Sequence, residues 1–486
     1  MNNKISQTIA LAPNLEISRI VTGLWQIADM ERDQKPLDPH TTSFHMNPYV
    51  EAGLTTFDMA DHYGSSEIIA GHFKNQFDLG SKVQLLTKWV PEPGKIDKDQ
   101  VRNAVMKALH RMQQSSIDLM QFHAWNYADP SWLDGLLLLN ELKEEGLIKH
   151  IGVTNFDAAH LRIACASGIP IVSNQICHSV IDQRATIQME EVCNTYGVKI
   201  LAFGTLAGGF LTNQWLNKTE PSYDQLKTWS QMKYKRFIDA AGGWEKYQEL
   251  LNVLDEIAKS HQVSIANIAT RYVFENPNVA AVIIGARLGE SQHIEDNNCM
   301  LNISLSADDI QRIKTAQSNL LPIPGNCGDE YRKPPFLTAS GDLSHHLNTI
   351  PKPFKTTAGP LTTTQIFSGT EWEQYAGYCR AVKAGDRIHI SGTTATHEKM
   401  MVGGTDAAAQ THFIIDKFEA VLQTFDASLE HVVRTRIFVN NINDWEVVAR
   451  AHGERFKGIN PANTLVSAPL VGEGYLVEIE AEAYVP

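Results

Sequence analysis

The sequence has no excess of positive charge and no long apolar run. Its 42 Lys and Arg residues are outnumbered by 55 Asp and Glu residues, which gives a formal charge of −13. Nucleic acids and anionic membranes bind clustered basic residues, so this balance argues against both as partners. Nowhere do about 18 apolar residues follow one another, and no apolar run follows a basic start. We therefore expect no membrane span and no targeting segment.

Several familiar site motifs are also missing. HExxH, GxSxG and GxxxxGK[ST] do not occur, and no GxGxxG follows a predicted strand. The pair His345–His346 has no cysteine or second histidine pair nearby, so we predict no metal site. The six cysteines contain no CxxC pair. This usage predicts a reducing compartment, and we expect a cytoplasmic protein.

From about residue 19 to 319, short apolar runs alternate with longer stretches of helical periodicity, as in repeated β-α units. In one such stretch, Val101, Val105, Ala108 and Met112 return to one face every three or four positions. The predicted strands are RIVTGL, LTTF, VQLLTK, IDLMQF, HIGVT, IPIVSN, VKILAF and VAAVIIG. Eight strands of this kind predict an α/β fold closed into a (β/α)8 barrel, rather than an open doubly wound sheet.

Two further units follow the barrel. Seven prolines between positions 322 and 360 indicate a linker or extended arm. Beyond it, four strand patterns and two helix patterns predict a small α+β domain with a mainly antiparallel sheet. The predicted domains are the barrel over residues 15–320, the arm over 321–373 and the α+β domain over 374–486.

The chemistry of a β/α barrel lies at the carboxyl ends of its strands. Asp58, Lys88 and His123 follow or end three predicted strands, and Tyr63 lies in the loop after Asp58. A lysine ammonium beside a tyrosine favours the phenolate and makes the phenol a better acid. A carboxylate would hold that lysine charge, and the histidine would bind a carbonyl oxygen. None of these groups donates hydride, so the set implies a nicotinamide cofactor.

Each of the four residues also has a structural explanation when taken alone. Asp58 would cap a loop, Lys88 would be a solvated charge at a strand end, His123 would be a core histidine, and Tyr63 would be a packing aromatic. Their gathering at the ends of separate strands of one barrel favours the catalytic interpretation.

The motifs FDMADHYGSSE, LLTKW, QFHAW, IGVTNF and SNQ, in this order and spacing, resemble the aldo-keto reductase family over about residues 15–320. The resemblance implies an NADP(H)-dependent reductase of small-molecule aldehydes or ketones. It makes Tyr63 the general acid, with Asp58, Lys88 and His123 assisting it.

The same resemblance assigns residues to the cofactor. They are Gly23, Leu24 and Trp25 at its rim, Thr154, Asn155 and Gln175 at the carboxamide, Phe203, Gly204 and Leu206 near the nicotinamide ring, and Gly285, Arg287, Gln292 and Asn297 towards the adenosine. An arginine at position 287 favours NADPH, because its fork binds a 2′-phosphate. Thr205 stands where the family often has proline, and residues 285–297 depart from the commonest family pattern. Helix capping, simple turns and an apolar strand end remain alternatives for Thr154–Asn155, Gly204 and Phe203.

The segments YCRAVKAGDRIHISGTTA, NPANTLV and VEIEAEA resemble the RidA/YjgF family of reactive intermediate deaminases. The resemblance implies a homo-oligomer, typically a trimer, with clefts between subunits. Asn463 occupies the position of an arginine that pairs with the substrate carboxylate in active members, while Glu478 matches the glutamate that positions water. An amide cannot replace the guanidinium fork. We therefore expect a ligand-binding or oligomerising module first and a hydrolase second.

Three hypotheses for the whole chain follow. The first is a carbonyl reductase with an accessory C-terminal module. The second is a redox-sensing scaffold that binds NADP(H) with little turnover. The third is a bifunctional enzyme that acts on the carbonyl and imine forms of one metabolite.

Overall fold

The computed structural model describes residues 4–32, 35–338 and 343–486. The strands of the N-terminal unit are β1 Thr8–Ala12, β2 Leu15–Ser18, β3 Ile20–Gly23, β4 Thr56–Asp58, β5 Gln84–Trp89, β6 Ile117–Phe122, β7 Ile148–Thr154, β8 Ile171–Cys177, β9 Lys199–Phe203 and β10 Val279–Gly285. Strands β3 to β10 pair in parallel and close into a barrel, with β10 beside β3. The predicted (β/α)8 fold is confirmed, and each of the eight predicted strands contributes one barrel strand.

Helices connect the barrel strands. They are α1 Pro39–Ser43, α2 Asn47–Glu51, α3 Ser66–Gln76, α4 Lys98–Met112, α5 Ser131–Glu144, α6 Ala158–Ala166, α7 Gln188–Tyr196, α8 Trp229–Ala240, α9 Trp244–His261, α10 Ile265–Val273, α11 Ile294–Cys299 and α12 Ala307–Ser318. Helix α4 begins with a reciprocal capping box between Asp97 and Gln100, and it buries Val101, Val105 and Met112 as its periodicity predicts. In the part of the chain that the structure describes, no helix has both the length and the hydropathy to cross a bilayer.

One end of the barrel interior is filled with apolar side chains. The hairpin β1–β2 precedes the amino end of β3, and its Leu15 and Ile17 share an apolar cluster with Leu86, Leu119 and Leu201 of the barrel strands. Burial of such side chains is the main favourable contribution to folding. Because this end is filled with apolar groups, polar chemistry is left to the carboxyl end of the barrel.

The segment predicted as an arm contains regular structure. Its elements are α13 Asp329–Arg332, β11 Thr356–Ala358, β12 Thr364–Ile366 and α14 Glu371–Ala376. Strands β11 and β12 pair antiparallel with each other, and β12 pairs with β13 of the next unit. The second half of the arm therefore extends the C-terminal sheet, while α13 lies against the barrel.

The C-terminal unit is the predicted α+β domain. Its remaining elements are β13 Ala381–Ala384, β14 Arg387–Thr394, β15 Thr396–His397, β16 Met400–Met401, α15 Ala407–Thr424, β17 Val432–Val439, α16 Trp445–Arg455, β18 Ala462–Ser467 and β19 Val477–Tyr484. The main sheet runs in the order β11-β12-β13-β14-β19-β17-β18, and its one parallel pair among the described strands is β17–β18. The mainly antiparallel sheet with two long helices confirms the predicted fold class.

Helices α6 and α15 join the two units through buried polar contacts. His160 on α6 contacts Asp157 at 2.7 Å through Nδ1 and Asp416 of α15 at 3.1 Å through Nε2. Arg162 donates to Asp406 at 2.8 Å, and the Tyr196 hydroxyl donates to the same carboxylate at 2.5 Å. The interface is therefore specific rather than a loose tether.

The protonation of His160 stabilises this interface. Burial alone would lower the pKa of His160, but the carboxylates of Asp157 and Asp416 outweigh it and raise the pKa above its ordinary value. The groups that face the ring are Asp157, Asp416, Tyr127, Arg455 and His412. A raised folded-state pKa contributes stability that is complete below about pH 6.5 and is lost as the pH rises through the folded value.

We therefore expect His160→Gln to be less stable than the unsubstituted protein, most clearly near pH 6. The difference should shrink as the pH rises, because the unsubstituted protein then loses its imidazolium, and it amounts to about 1.4 kcal/mol for each unit by which the pKa is raised. Urea unfolding at a series of pH values checks this expectation. A stability difference that is the same at every pH would contradict it.

Candidate active site

The carboxyl ends of neighbouring barrel strands bring the first three predicted residues together. Lys88 of β5 donates from Nζ to Asp58 Oδ2 of β4 at 2.6 Å and to the Met59 carbonyl oxygen at 2.6 Å. Both charged side chains are buried, with Lys88 6% and Asp58 3% exposed. Lys88 Nζ lies 5.2 Å from the centre of the Tyr63 ring. The result is a buried ion pair next to a half-buried phenol.

Burial makes this lysine an unusual cation. It lowers the pKa of Lys88 below its ordinary value, and the opposing charge of Asp58 restores the value only in part. Asp58 is fixed on its other oxygen, because Gln121 and Gln175 donate to Oδ1 at 3.0 and 2.8 Å. The carboxylate thus has partners on both oxygens and cannot turn away from Lys88.

His123 follows β6 at the same end of the barrel. Its ring packs edge-on against Trp125, with centres 4.5 Å apart, and lies 5.9 Å from the ring of Tyr331. Burial, followed by the charges of Arg332 and His62, holds the pKa of His123 well below its ordinary value. The imidazole is therefore neutral near pH 7. Nε2 is buried and has no hydrogen-bond partner among the described residues, so it is available to a carbonyl oxygen when it carries the ring proton.

Tyr63 and His123 both follow strands at the carboxyl end of the barrel, and His62 is a neighbour of Tyr63 whose charge also acts on His123. The ring of His62 lies 4.8 Å from the ring of Tyr63, and the same His62 is close enough to lower the pKa of His123. Trp25 packs edge-on against Tyr63 at 5.0 Å. A phenol, a neutral imidazole and a buried lysine thus lie at the same end of the barrel.

The predicted nicotinamide-side residues lie at the same end of the barrel. Thr154 ends β7 and donates to the carbonyl oxygen of Gln175 at 3.0 Å, and the backbone N–H of Asn155 donates to that oxygen at 2.9 Å. Asn155 has a φ of +59°, and its Oδ1 is buried with no hydrogen-bond partner in the described part of the chain. An unpaired acceptor at this point fits a carboxamide N–H. The side-chain N–H groups of Gln175, by contrast, already donate to Asp58 Oδ1 and to Gln121 Oε1.

Two glycines along the rim are approached closely by other side chains. A Cβ on Gly285, which ends β10, would lie 2.0 Å from Gln26 Oε1, and a Cβ on Gly204 would lie 2.3 Å from the Tyr234 hydroxyl. Gly204 also has a φ of +73°, which side chains rarely adopt. Of the remaining predicted rim residues, Gly23 ends β3 and is followed by Leu24 and Trp25, while Phe203 ends β9 and is followed by Leu206. Strands β3 and β9 lie on either side of β10. The resemblance assigns these positions to a dinucleotide, and we call them the cradle.

The predicted adenosine-side residues are on the surface. Arg287 and Gln292 are exposed, and Asn297 is half-buried on α11. Arg287 pairs through its backbone with Ser291 in an isolated bridge, which turns the chain after β10. An exposed guanidinium beside the cradle has the chemistry for a phosphate monoester.

Sequence reasoning missed two residues at the site. Gln121 of β6 donates to Asp58 and accepts from Gln175. The sequence feature that could have marked it is a polar residue near the end of the mainly apolar strand IDLMQF. Arg332, from α13, donates from Nη2 to the Asn155 carbonyl oxygen at 2.6 Å. No local pattern marks Arg332, because it lies in the segment that was predicted as an arm.

The candidate residues of the second domain lie on either side of β17. Asn463 is opposite Thr435 and donates to its hydroxyl at 2.9 Å, whereas Glu478 is opposite Phe438. Burial raises the pKa of Glu478, and the guanidinium of Arg380 opposes that shift. A cation thus lies near Glu478, although it comes from a different position than the one the resemblance indicated.

Comparisons with known proteins agree with this division. Residues 19–318 match the model of the aldo/keto reductase family, and residues 369–485 match the model described as endoribonuclease L-PSP. The NADH-specific methylglyoxal reductase of Escherichia coli is 24% identical over 320 residues, which cover 61% of this chain and 93% of that protein.

Solved structures give the same picture. The glycerol dehydrogenase of Gluconobacter oxydans is 21% identical, covers 66% of this chain and 98% of its own, and superposes with a TM-score of 0.53. At that identity the likeness concerns the fold alone. A member of the YjgF/YER057c/UK114 family from Mycobacterium tuberculosis is 40% identical over 25% of this chain and 99% of its own, with a TM-score of 0.23. The matches to the two family models confirm the predicted resemblances of both units.

Proposed function

The chain belongs to the aldo/keto reductase family through residues 19–318, and from this premise we propose that it is an NADP(H)-dependent reductase of small aldehydes or ketones. The observation that carries the proposal is the buried ion pair of Lys88 and Asp58 beside Tyr63. Burying two charges costs free energy, which their mutual attraction repays only when the geometry is good and the remaining polar atoms are hydrogen-bonded. Shifted ionisable groups in a crevice are a recurrent property of catalytic sites.

The residues divide the work of carbonyl reduction among them. When bound, the reduced nicotinamide supplies the hydride that the carbonyl carbon accepts. Tyr63 gives its phenolic proton to the carbonyl oxygen, and the C=O double bond becomes an alcohol. The Lys88 ammonium favours the phenolate that remains, and solvent later returns the proton. His123 Nε2 orients the carbonyl oxygen, and Asp58 holds the lysine in place.

The direct test uses the full-length protein with NADPH and a panel of aliphatic and aromatic aldehydes and ketones. Loss of the reduced nicotinamide absorbance, together with formation of the alcohol, would support the proposal. Tight NADPH binding without turnover on any member of the panel would favour the redox-sensing scaffold instead.

We propose NADPH as the preferred coenzyme because Arg287 lies exposed beside the cradle. Arg287→Ala is expected to raise the KM for NADPH about tenfold, since a guanidinium–phosphate pair is lost, and to leave the KM for NADH within about twofold. Initial rates with each coenzyme check this expectation.

The matched control is Arg312→Ala, which removes a half-buried arginine of α12 that pairs with Glu256. It should leave both KM values unchanged. One of the similar proteins is named as NADH-specific, so both coenzymes must be measured. Equal KM values for the two coenzymes in the unsubstituted protein would contradict the assignment of a 2′-phosphate site to Arg287.

We propose that the C-terminal domain is a ligand-binding or oligomerising module. The face of its sheet that carries Glu478, Glu480 and Glu482 is only half-buried within one chain, which is consistent with contact to a further copy. Light scattering on the full-length protein tests the assembly. An imine generated in the assay by an added amino-acid oxidase supplies the substrate for the bifunctional alternative, which predicts that the protein speeds the hydrolysis of the imine to ammonia; Asn463 argues against strong activity there.

We also propose a cytoplasmic location. All six cysteines are free thiols. Burial raises the pKa of Cys165 and Cys193 to about 12, and it raises the pKa of Cys177 and Cys327 well above the ordinary thiol value. Free thiols persist in a reducing compartment.

A further inference from the structure

Residues 326–332, here called the cap segment, lie on the mouth of the barrel although they fall outside the matched range 19–318. Arg184 fastens one side of the segment, donating to the Asn326 carbonyl oxygen at 2.8 Å and to Glu330 at 2.8 Å. Arg184 also pairs with Asp182 at 2.7 Å. The cap segment is thus fixed to the loop after β8 by a buried ion-pair network.

Arg332 fastens the other side. Its Nε donates to the carbonyl oxygen of Ala124 at 2.8 Å, and its Nη2 donates to the Tyr127 hydroxyl at 2.9 Å and to the Asn155 carbonyl oxygen at 2.6 Å. Its guanidinium also lies 4.6 Å from the centre of the Tyr127 ring. One planar fork therefore ties together the loops that follow β6 and β7.

The Asn155 backbone is held on both sides. Its N–H donates to Gln175, and its carbonyl oxygen accepts from Arg332. Gly328 closes over the same carbonyl, since a Cβ there would lie 2.0 Å from the oxygen. These contacts keep Asn155 at a φ of +59° and hold its unpaired Oδ1 in one place. Without Arg332, the left-handed backbone would lose the charged donor that fixes it.

A continuous set of contacts leads from Arg332 to the C-terminal domain. Tyr127 stacks on His160, with ring centres 3.5 Å apart and planes 6° from parallel. His160 contacts Asp416 of α15, and Asp416 pairs with Arg455 of α16 at 2.7 Å. All of these side chains are buried or nearly so. A displacement of α15 would therefore reach the loop that carries Asn155.

We propose that Arg332 is a positioning residue for the nicotinamide cofactor, acting through Asn155, and that the C-terminal domain supports it through Asp416, His160 and Tyr127. This inference rests on the proposed function, because it assigns a cofactor contact to Asn155. It also gives a physical reason for the fusion of the two units. The C-terminal domain stabilises the position of Asn155 but contributes no group to the reductase site.

The test measures NADPH affinity on the full-length protein by fluorescence titration, which needs no turnover. Arg332→Ala is expected to raise the Kd about tenfold, because the hydrogen bonds of a charged donor are lost. The Kd of Arg332→Lys should lie between those of the unsubstituted protein and Arg332→Ala, since an ammonium keeps the positive charge but lacks the planar set of N–H donors of a guanidinium. At saturating NADPH, kcat should stay within about threefold, because Tyr63, Lys88 and His123 are untouched.

Hydrogen exchange of the cofactor-free protein gives a second readout. Arg332→Ala should speed exchange in the peptide that contains Asn155 and leave the peptides of β4 and β5 unchanged. Lys314→Ala is the matched control, because it removes an exposed cation of α12, outside the cap segment. It should change neither Kd nor exchange.

Asp416→Asn tests the contact that the C-terminal domain makes with His160. Its control is Asp426→Asn, which changes an exposed carboxylate. Asp416→Asn should raise the NADPH Kd in the same direction as Arg332→Ala and by a smaller factor. An unchanged Kd in Arg332→Ala overturns the inference, and an unchanged Kd in Asp416→Asn overturns the role of the C-terminal domain. If the unsubstituted protein binds no nicotinamide cofactor, the proposed function fails as well, so the two failures are distinguishable.

Discussion

Tyr63→Phe is expected to lower kcat by about 10²- to 10⁴-fold, the usual contribution of a positioned general acid. The substitution removes one oxygen and leaves the aromatic ring, so the edge-on contacts with Trp25 and His62 persist. The NADPH Kd should therefore stay within about twofold of its original value. Steady-state rates and fluorescence titration of the same preparation measure the two effects.

The matched control for this variant is Tyr272→Phe. Tyr272 lies on α10 and donates its hydroxyl to Gln317 at 2.8 Å, away from the barrel mouth. It should keep full activity, which shows that loss of a phenol hydroxyl alone does not inactivate the protein. Full activity of Tyr63→Phe would show that Tyr63 is not the general acid and would contradict the proposed mechanism.

Lys88→Met is expected to abolish measurable turnover and also to destabilise the protein. The loss of turnover follows because the phenolate formed at Tyr63 no longer faces a cation. The loss of stability follows because the buried Asp58 carboxylate keeps its amide donors but loses its counter-charge, at a cost of about 3 kcal/mol or more. Urea unfolding and initial rates measure the two losses separately.

A double variant separates chemistry from stability. In Asp58→Asn with Lys88→Met, no unpaired charge remains in the core, so most of the lost stability should return while turnover stays absent. If turnover returned together with stability, Lys88 would be a structural residue, and the proton-donating device would have to lie elsewhere.

The order of the secondary structure was predictable from the sequence because it depends on local periodicity. The run VAAVIIG becomes β10, and the face of α4 that carries Val101 and Met112 is buried as expected. The approach of Asp58, Lys88 and His123 was also predictable, because parallel strands of one barrel place their carboxyl ends at the same mouth. The first inference needs only the spacing of residues within about ten positions of one another, and the second adds only the number of repeated β-α units.

Contacts between distant segments were not predictable in this way. Gln175 was assigned to the cofactor, yet its amide holds Asp58 together with Gln121, because inward-facing side chains of neighbouring strands meet inside the barrel. Such a meeting depends on strand stagger and rotamer, and neither leaves a mark on a single strand.

The sequence by itself determined the barrel, the domain that follows it and the residue types at the strand ends. It did so because hydrophobic periodicity records which face of each element is buried. Only the tertiary structure decided that Arg332 reaches Asn155 across 177 positions and that His160 meets Asp416 across 256. Those pairings depend on the shapes and charges of surfaces that are distant in the sequence, and no local pattern encodes them.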